Sequence, residues 1–97
     1  MTLKCPWGVP EETWCIAPGI YRVETPSHGG FLISADRLRA MPENLRKCAF
    51  LSAYPHAFEH DRAWCAVVLA WPNHFSDDIV TSATDIYNHY YKDKNND

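Results

Sequence analysis

The 97-residue sequence contains no run of about eighteen apolar residues, the length that a transmembrane helix requires. Its N-terminus also lacks the basic and then apolar pattern of a signal peptide. These absences argue against membrane-spanning and secreted classes. We expect a soluble, cytoplasmic protein that makes no membrane contact.

The sequence also has no Cys-x-x-Cys pair, although it contains four cysteines, Cys5, Cys15, Cys48 and Cys65. Their spacing argues against a zinc ribbon, a redox motif and a small disulfide scaffold. We expect reduced cysteines that act as small core residues, and we predict neither a metal nor a cofactor.

Basic residues are scarce, since nine Lys and Arg stand against twelve Asp and Glu, and the net charge is −3. This balance gives no electrostatic footprint for a phosphate backbone, so direct nucleic-acid binding is not expected. The pairs Glu11-Glu12 and Asp77-Asp78 are compatible with a negative surface patch. They are equally compatible with ordinary solvated residues at helix N-termini.

Hydrophobic residues make up 46% of the sequence and include four Trp, which is enough for one core in a chain of this length. We predict one domain over residues 1–97, with an irregular lead-in over 1–18 and a frayed tail over 92–97. Trp7 and Trp14 are expected to anchor the lead-in, which contains a short strand over 13–17.

Residues 20–25 alternate with the two-residue period of a half-buried strand, and residues 31–34 are predicted to return beside them. A hairpin alone is marginal in water, so helices must cover its apolar side. We therefore predict an α+β fold in which this hairpin, or a three-stranded antiparallel sheet, packs against three to four helices.

The spacing of apolar residues predicts helices over 34–41, 43–49 and 59–71, and a last amphipathic helix after Ser76. Ser34 and Ser76 are the expected N-caps. Residues 50–58 lose the period and are predicted as a loop. A strand over 66–71 stays open as an alternative, because this short run is apolar and β-branched.

The segment 25–30, Thr-Pro-Ser-His-Gly-Gly, is the best functional candidate in the sequence. Pro26 fixes its own φ, Gly29 and Gly30 tolerate a tight reversal, and His28 is placed at the tip. Two interpretations are open: the loop carries function, or it only closes the hairpin.

Five short motifs follow one another in an order that is typical of one domain family: Cys5-Pro-Trp-Gly8, Pro18-Gly19-Ile20, Thr25-Pro-Ser-His-Gly-Gly30, Met41-Pro42 and Glu59-x-Asp61-x-x-Trp64. Over residues 5–75 the sequence resembles an uncharacterised domain family of phages and plasmids. The resemblance implies a protein of mobile genetic elements, for which defeating host defence is a recurring task. His60 and Arg62 stand where the family pattern has an acidic residue and a cysteine.

The string His56-Ala-Phe-Glu59-His60 matches H-x-x-E-H, which in some zinc peptidases places two ligands one helical turn apart with a catalytic carboxylate between them. A third ligand would have to come from elsewhere, and the chain is too short for the folds that house this motif. We favour a surface or helix-capping role for the two histidine rings. Cys65 is a poor nucleophile candidate, because an apolar helix face disfavours a thiolate.

His28 near Glu59 or Asp61 would resemble an acid/base site, with the carboxylate fixing the tautomer of the imidazole. The structural alternative is that His28 donates to that carboxylate and ties the hairpin to the following helix.

Two functions follow as hypotheses. The first is a binding protein that inhibits a host defence complex, most concretely an anti-CRISPR protein that covers a surface of the effector. Its candidate contact residues are Trp14, Tyr54, Tyr87 and Tyr91 as aromatic anchors, with Glu11, Glu12, Asp77 and Asp78 facing basic residues of the partner. The second is a small hydrolase or transferase that uses His28, Glu59 and Asp61. The sequence predicts neither the partner's identity nor the oligomeric state.

Overall fold

A four-stranded antiparallel sheet is the framework of the fold in the computed structural model, which describes residues 5–49 and 53–92. The strands are β1 (Glu12–Ala17), β2 (Ile20–Glu24), β3 (Gly29–Ile33) and β4 (Ala57–Glu59). Each strand pairs with its neighbour in sequence, in the order β1-β2-β3-β4. The α+β prediction is confirmed, and the sheet has one strand more than the largest sheet that we predicted.

Within the described residues, four helices and one 3-10 turn accompany the sheet: α1 (Ala35–Ala40), α2 (Glu43–Arg46), α3 (Trp64–Ala70), the 3-10 turn Pro72–His74 and α4 (Asp77–Tyr90). Both predicted serine caps are confirmed. The hydroxyl of Ser34 accepts from the Arg37 amide at 3.2 Å, and that of Ser76 accepts from the Ile79 amide at 3.4 Å. These bonds satisfy amides that the first turn of a helix leaves unpaired.

The predicted helix over residues 59–71 is wrong in its first part, because Ala57–Glu59 forms β4 and α3 begins only at Trp64. The register pairs β4 with β3 through Gly30↔Glu59, Phe31↔Phe58 and Leu32↔Ala57. Three residues are too few to show a period, so only this pairing makes them a strand. The alternative strand over 66–71 is also wrong, since residues 64–70 are helical.

Several other boundaries also differ from the predictions. The second helix ends at Arg46, and the predicted loop over 50–58 includes residues of β4. The lead-in contains a full strand, β1, which begins one residue earlier than predicted. Residues 1–4 of the lead-in, 50–52 of the loop and 93–97 of the tail lie outside the described residues.

One face of the sheet packs against the helices and forms the main core. Its fully buried members include Ile20 and Ile33 from the sheet, Phe58 from β4, and Val67 and Val68 from α3. Burying apolar side chains of this size is the main stabilising term in a small domain. The helices therefore cover the sheet as predicted.

The other face of the sheet is covered by the lead-in. Trp7 is 8% exposed and packs with Val23, Leu32 and Ala57. Trp7 therefore anchors the lead-in, as expected. Trp14 does not, because it is 40% exposed on the edge strand β1.

The cysteines divide into two groups, and all four are free thiols. Cys48 and Cys65 are buried in the main core, as predicted. Cys5 is half-buried and packs against the cluster of Trp7, Val23, Leu32 and Ala57, whereas Cys15 is exposed, so the core role predicted for Cys15 is wrong. No helix in the described part of the chain is both long enough and apolar enough to span a membrane.

Candidate functional site

The turn between β2 and β3 is closed by hydrogen bonds between Thr25 and the backbone of His28, and the imidazole of His28 takes no part in them. The Thr25 hydroxyl accepts from the His28 amide at 3.0 Å and donates to the His28 carbonyl at 2.9 Å. The Thr25 amide donates to the same carbonyl at 2.7 Å. Thr25 is buried, and these bonds use both the donor and the acceptor capacity of its hydroxyl.

Gly29 and Gly30 begin β3, where neighbouring backbone lies too close for a side chain. A Cβ at Gly30 would lie 2.3 Å from the Phe58 carbonyl oxygen and 2.8 Å from Cη2 of Trp7. A Cβ at Gly29 would lie 2.9 Å from the Val23 carbonyl oxygen. Packing therefore explains both glycines, and the exposed part of the segment 25–30 is Pro26, Ser27 and His28.

Glu59 caps the turn that leads from β4 into α3. Its carboxylate accepts three backbone amides, from Asp61 at 2.7 Å, Arg62 at 3.0 Å and Ala63 at 3.0 Å. A carboxylate has two acceptor oxygens, so one Glu side chain can cap several amides of a turn. The cap in the H-x-x-E-H string is therefore at Glu59, whereas the capping role that we favoured was for its two histidines.

His60 makes the connection that we had assigned to His28. The Gly29 carbonyl accepts from the His60 amide at 2.9 Å and lies 3.0 Å from Nδ1 of the His60 ring. Nε2 of His60 lies 3.3 Å from Oδ1 of Asp61. The predicted hydrogen bond from His28 to a carboxylate is absent from the described residues, and the two histidine ring centroids are 6.4 Å apart.

The three residues of the predicted acid/base site line one open cavity of about 350 Å³, which we call the His28 cavity. Lys47, Cys48, Ala49, Arg62, Ala63 and Tyr91 complete its wall beside His28, Glu59 and Asp61. The structure thus brings the predicted residues together. Their carboxylates, however, already face backbone amides and His60, and neither is directed to the His28 ring.

Two further chemical candidates are not assembled. His56 precedes β4, Glu59 ends it and His60 lies in the turn, so the H-x-x-E-H string is not on one helix. Across residues 5–49 and 53–92, no three His, Cys, Asp or Glu side chains are arranged to hold a metal ion. Burial raises the pKa of the Cys65 thiol to about 12, so it is protonated at neutral pH and is a poor nucleophile.

A larger and more apolar groove of about 530 Å³ lies between the helix face of the sheet and the first half of α4. We call it the apolar groove, and it is lined by Ile16, Arg22, Gly30, Phe31, His60, Trp64, Phe75, Asp78, Ile79 and Ser82. The sequence did not indicate this groove, because its wall comes from three strands and two helices. Ile79, in the first half of α4, lines this groove and is 41% exposed.

The predicted aromatic anchors do not form one surface. Trp14 is exposed, and the Arg22 guanidinium lies over its ring at 5.6 Å. Tyr87 and Tyr91 stack on each other with centroids 6.1 Å apart and pack partly against the main core. Tyr54 packs with the Trp7 cluster on the opposite face.

The predicted acidic contacts are all exposed: Glu11 and Glu12 beside β1, and Asp77 and Asp78 in the first turn of α4. Asp78 lines the apolar groove. In the register of β1 and β2, Glu12 lies opposite Glu24 and Trp14 lies opposite Arg22. Residues directly opposite on antiparallel strands point to the same face, so these four side chains share the helix face of the sheet.

A third cavity of about 410 Å³ surrounds the exposed tip of the turn and shares lining residues with the other two. Arg22, Gly30 and His60 line both this cavity and the apolar groove, and His28 lines both this cavity and the His28 cavity. The turn is therefore the common border of all three depressions.

Comparison with known proteins places the chain in a family without assigning it an activity. No curated protein and no solved structure matches the sequence. A family described as "Domain of unknown function (DUF7007)" matches residues 1–96. That match spans nearly the whole sequence, so the chain belongs to the DUF7007 family, in agreement with the expected uncharacterised domain family.

Proposed function

We propose that this chain is a small binding protein that inhibits a host defence complex by covering one of its surfaces. The most concrete target is a CRISPR effector, which would make the chain an anti-CRISPR protein. The observation that carries the binding role is the exposed Trp14, whose ring contacts Arg22, a residue of the apolar groove wall. Exposed aromatic residues next to apolar depressions are typical anchors of protein interfaces.

The acidic residues near this surface support a protein partner with basic residues. Asp78 of α4 lines the apolar groove, Glu12 of β1 lies on the helix face of the sheet, and the whole sequence carries a net charge of −3. Complementary charge raises association rates and selects among partners. The same charge disfavours direct contact with nucleic acid.

The engagement of Glu59 supports binding over catalysis. A catalytic carboxylate must be free to hold a proton or orient a base, whereas both oxygens of Glu59 accept backbone amides. His28, the candidate base, has no hydrogen bond from its ring to any described residue. A base of this kind is normally oriented by a second group.

The defence context comes from the resemblance to domains of phages and plasmids, with the Thr-Pro-Ser-His-Gly-Gly segment as its most specific part. Proteins of mobile elements that act on defence complexes work in the cytoplasm of the bacterial host. We propose that location here.

The test combines an interference assay with co-purification. The tagged chain is produced in cells with an active CRISPR system, and phage plating is measured together with recovery of the effector complex. We expect the wild-type protein to restore plating and to retain the effector. Trp14→Ala is expected to weaken binding by about tenfold or more, the effect of losing a central aromatic anchor.

Tyr90→Ala is the matched control. Tyr90 is 37% exposed, and the Arg62 guanidinium lies over its ring at 4.7 Å, but Arg62 does not line the groove, whereas Arg22 beside Trp14 does. If no effector co-purifies and interference is unchanged, the anti-CRISPR function is wrong. If another defence complex is recovered at stoichiometric amounts from host lysate, the binding role stands and the target changes.

A second candidate function is a small hydrolase or transferase, favoured by the shared position of His28, Glu59 and Asp61 in the His28 cavity. In that case His28→Ala abolishes turnover of a nucleotide signal or defence component while the melting temperature is unchanged. Equal activity of His28→Ala and wild type against such substrates would exclude it.

A further inference from the structure

We propose that the apolar groove binds a basic segment of the partner protein, with a bulky apolar side chain inside the groove and flanking Lys or Arg residues on its rim. This inference rests on the proposed binding function and specifies the chemistry of the partner. It also assigns the contact to the groove wall, including Phe31 and Ile79, which the sequence did not indicate as contact residues.

The floor of the groove has the size and composition to receive an apolar side chain. Phe31 is 8% exposed and packs edge-to-face against Phe75 at a centroid distance of 5.7 Å. Ile79 lines the same groove and is 41% exposed. A volume of about 530 Å³ falls within the range of roughly 300–1,000 Å³ that binding pockets occupy.

The rim of the groove favours a positively charged partner. Arg22 lines the groove wall. Its guanidinium already contacts the Glu24 carboxylate at 3.1 Å and lies over the Trp14 ring. Asp78 has no ion pair among the described residues and stands on the opposite side of the groove. A partner carboxylate would have to compete with Glu24 for Arg22, whereas a partner cation finds Asp78 already available.

The sheet adds a second reason for a basic partner. Glu12 and Glu24 lie directly opposite each other in the register of β1 and β2. Like charges in this position repel, and Arg22 contacts only Glu24 of the two. A partner Lys or Arg beside Glu12 would relieve that repulsion, so binding gains from a cation on this side as well.

The contribution of each side chain can be ranked from its burial. Ile79→Ser removes apolar area that the partner would bury, and we expect binding to weaken by about tenfold or more. Asp78→Asn removes one exposed charge contact, and we expect a loss of about two- to fivefold. High salt should weaken binding of the wild-type protein and reduce the difference between wild type and Asp78→Asn.

The test is a selection that requires no knowledge of the natural partner. A random dodecapeptide library is displayed and selected on the immobilised full-length chain, and the enriched peptides are titrated against the variants. Val9→Ser and Glu43→Gln are matched controls: Val9 is 85% exposed away from the groove wall, and Glu43 lies in the first turn of α2 as Asp78 does in α4. Thermal melts confirm that each variant is folded.

We expect the enriched peptides to combine a bulky apolar residue with Lys or Arg and to lose affinity for Ile79→Ser and Asp78→Asn but not for the controls. Enrichment of acidic or uncharged peptides, equal binding to the groove variants, or no enrichment would overturn the proposal. If a defence complex binds the wild-type chain and Ile79→Ser equally well, the groove inference fails while the proposed function stands.

Discussion

Replacing Gly30 with Ala tests whether close packing is the reason for the second glycine of the turn segment. The added Cβ would lie 2.3 Å from the Phe58 carbonyl oxygen, where ordinary contacts begin at 3.4 Å. Backbone on β4 would therefore have to move by more than 1 Å. On the same face, the Cβ would also lie 2.8 Å from the Trp7 ring.

The expected loss of unfolding free energy depends on which atoms must move to make room for the Cβ. Phe58 is fully buried, and its strand pairs with β3 at three positions, so β4 cannot retreat without weakening that pairing. Inserting a carbon into a packed site costs about 1–3 kcal/mol, and we expect the upper part of this range because the obstacle is backbone. For a domain of this size, that corresponds to a melting temperature lower by roughly 10–20 °C.

Urea and thermal denaturation followed by circular dichroism measure this effect. Ser27→Ala is the control, because Ser27 is exposed in the same turn and its replacement should change stability by no more than about 0.5 kcal/mol. If Gly30→Ala melts within the error of Ser27→Ala, the contact with Phe58 does not exist and the packing explanation of the motif is wrong.

Three further predictions test the site. Glu59→Ala should lower the unfolding free energy by about 1–2 kcal/mol, because three amides lose their acceptor; urea denaturation should show this loss, and an unchanged midpoint would refute the cap. His60→Ala should lower the unfolding free energy by about 1 kcal/mol and His28→Ala should leave it almost unchanged, because of the two rings only that of His60 lies within hydrogen-bond distance of Gly29. A lower melting temperature for His28→Ala than for His60→Ala would support His28 as the residue that ties the hairpin to the following segment. Burial raises the pKa of Cys48 and Cys65 from 9.0 to about 12, so the unfolding free energy should fall as pH rises from about 9 towards 12. Urea midpoints across that range should fall less steeply in Cys65→Ala, and equal slopes would contradict this reasoning.

The sequence was sufficient to predict the elements that have a clear period or a recognisable cap. β2 lies where the alternation of the sequence predicted a strand, and Ser34 and Ser76 cap α1 and α4 as predicted. It was not sufficient for β4, because a strand of three residues is created by its pairing partner and not by its own pattern. The helix assigned to this region began too early because Glu59 resembles a first-turn residue and instead caps from outside the helix.

The site shows the same division between local and long-range information. The sequence placed His28, Glu59 and Asp61 near one another, and the structure gives them one cavity. It could not show that His60, and not His28, would connect the hairpin to the segment after β4. That connection is made to Gly29, which is 31 positions away in the sequence. The apolar groove was missed for a similar reason, since no single element contributes enough of its wall to leave a pattern.

Residues at and beside the turn between β2 and β3 line more than one cavity, and this limits which variants can separate the possible functions. His60 lines the apolar groove and the cavity at the turn and also supports β3, so loss of activity in a His60 variant would not separate binding, catalysis and folding. Ile79 lines only the groove, and the His28 ring makes no hydrogen bond that the fold needs. Variants at these two positions therefore separate the functions: a partner that depends on Ile79 alone identifies the groove, and a reaction that depends on His28 alone identifies the cavity.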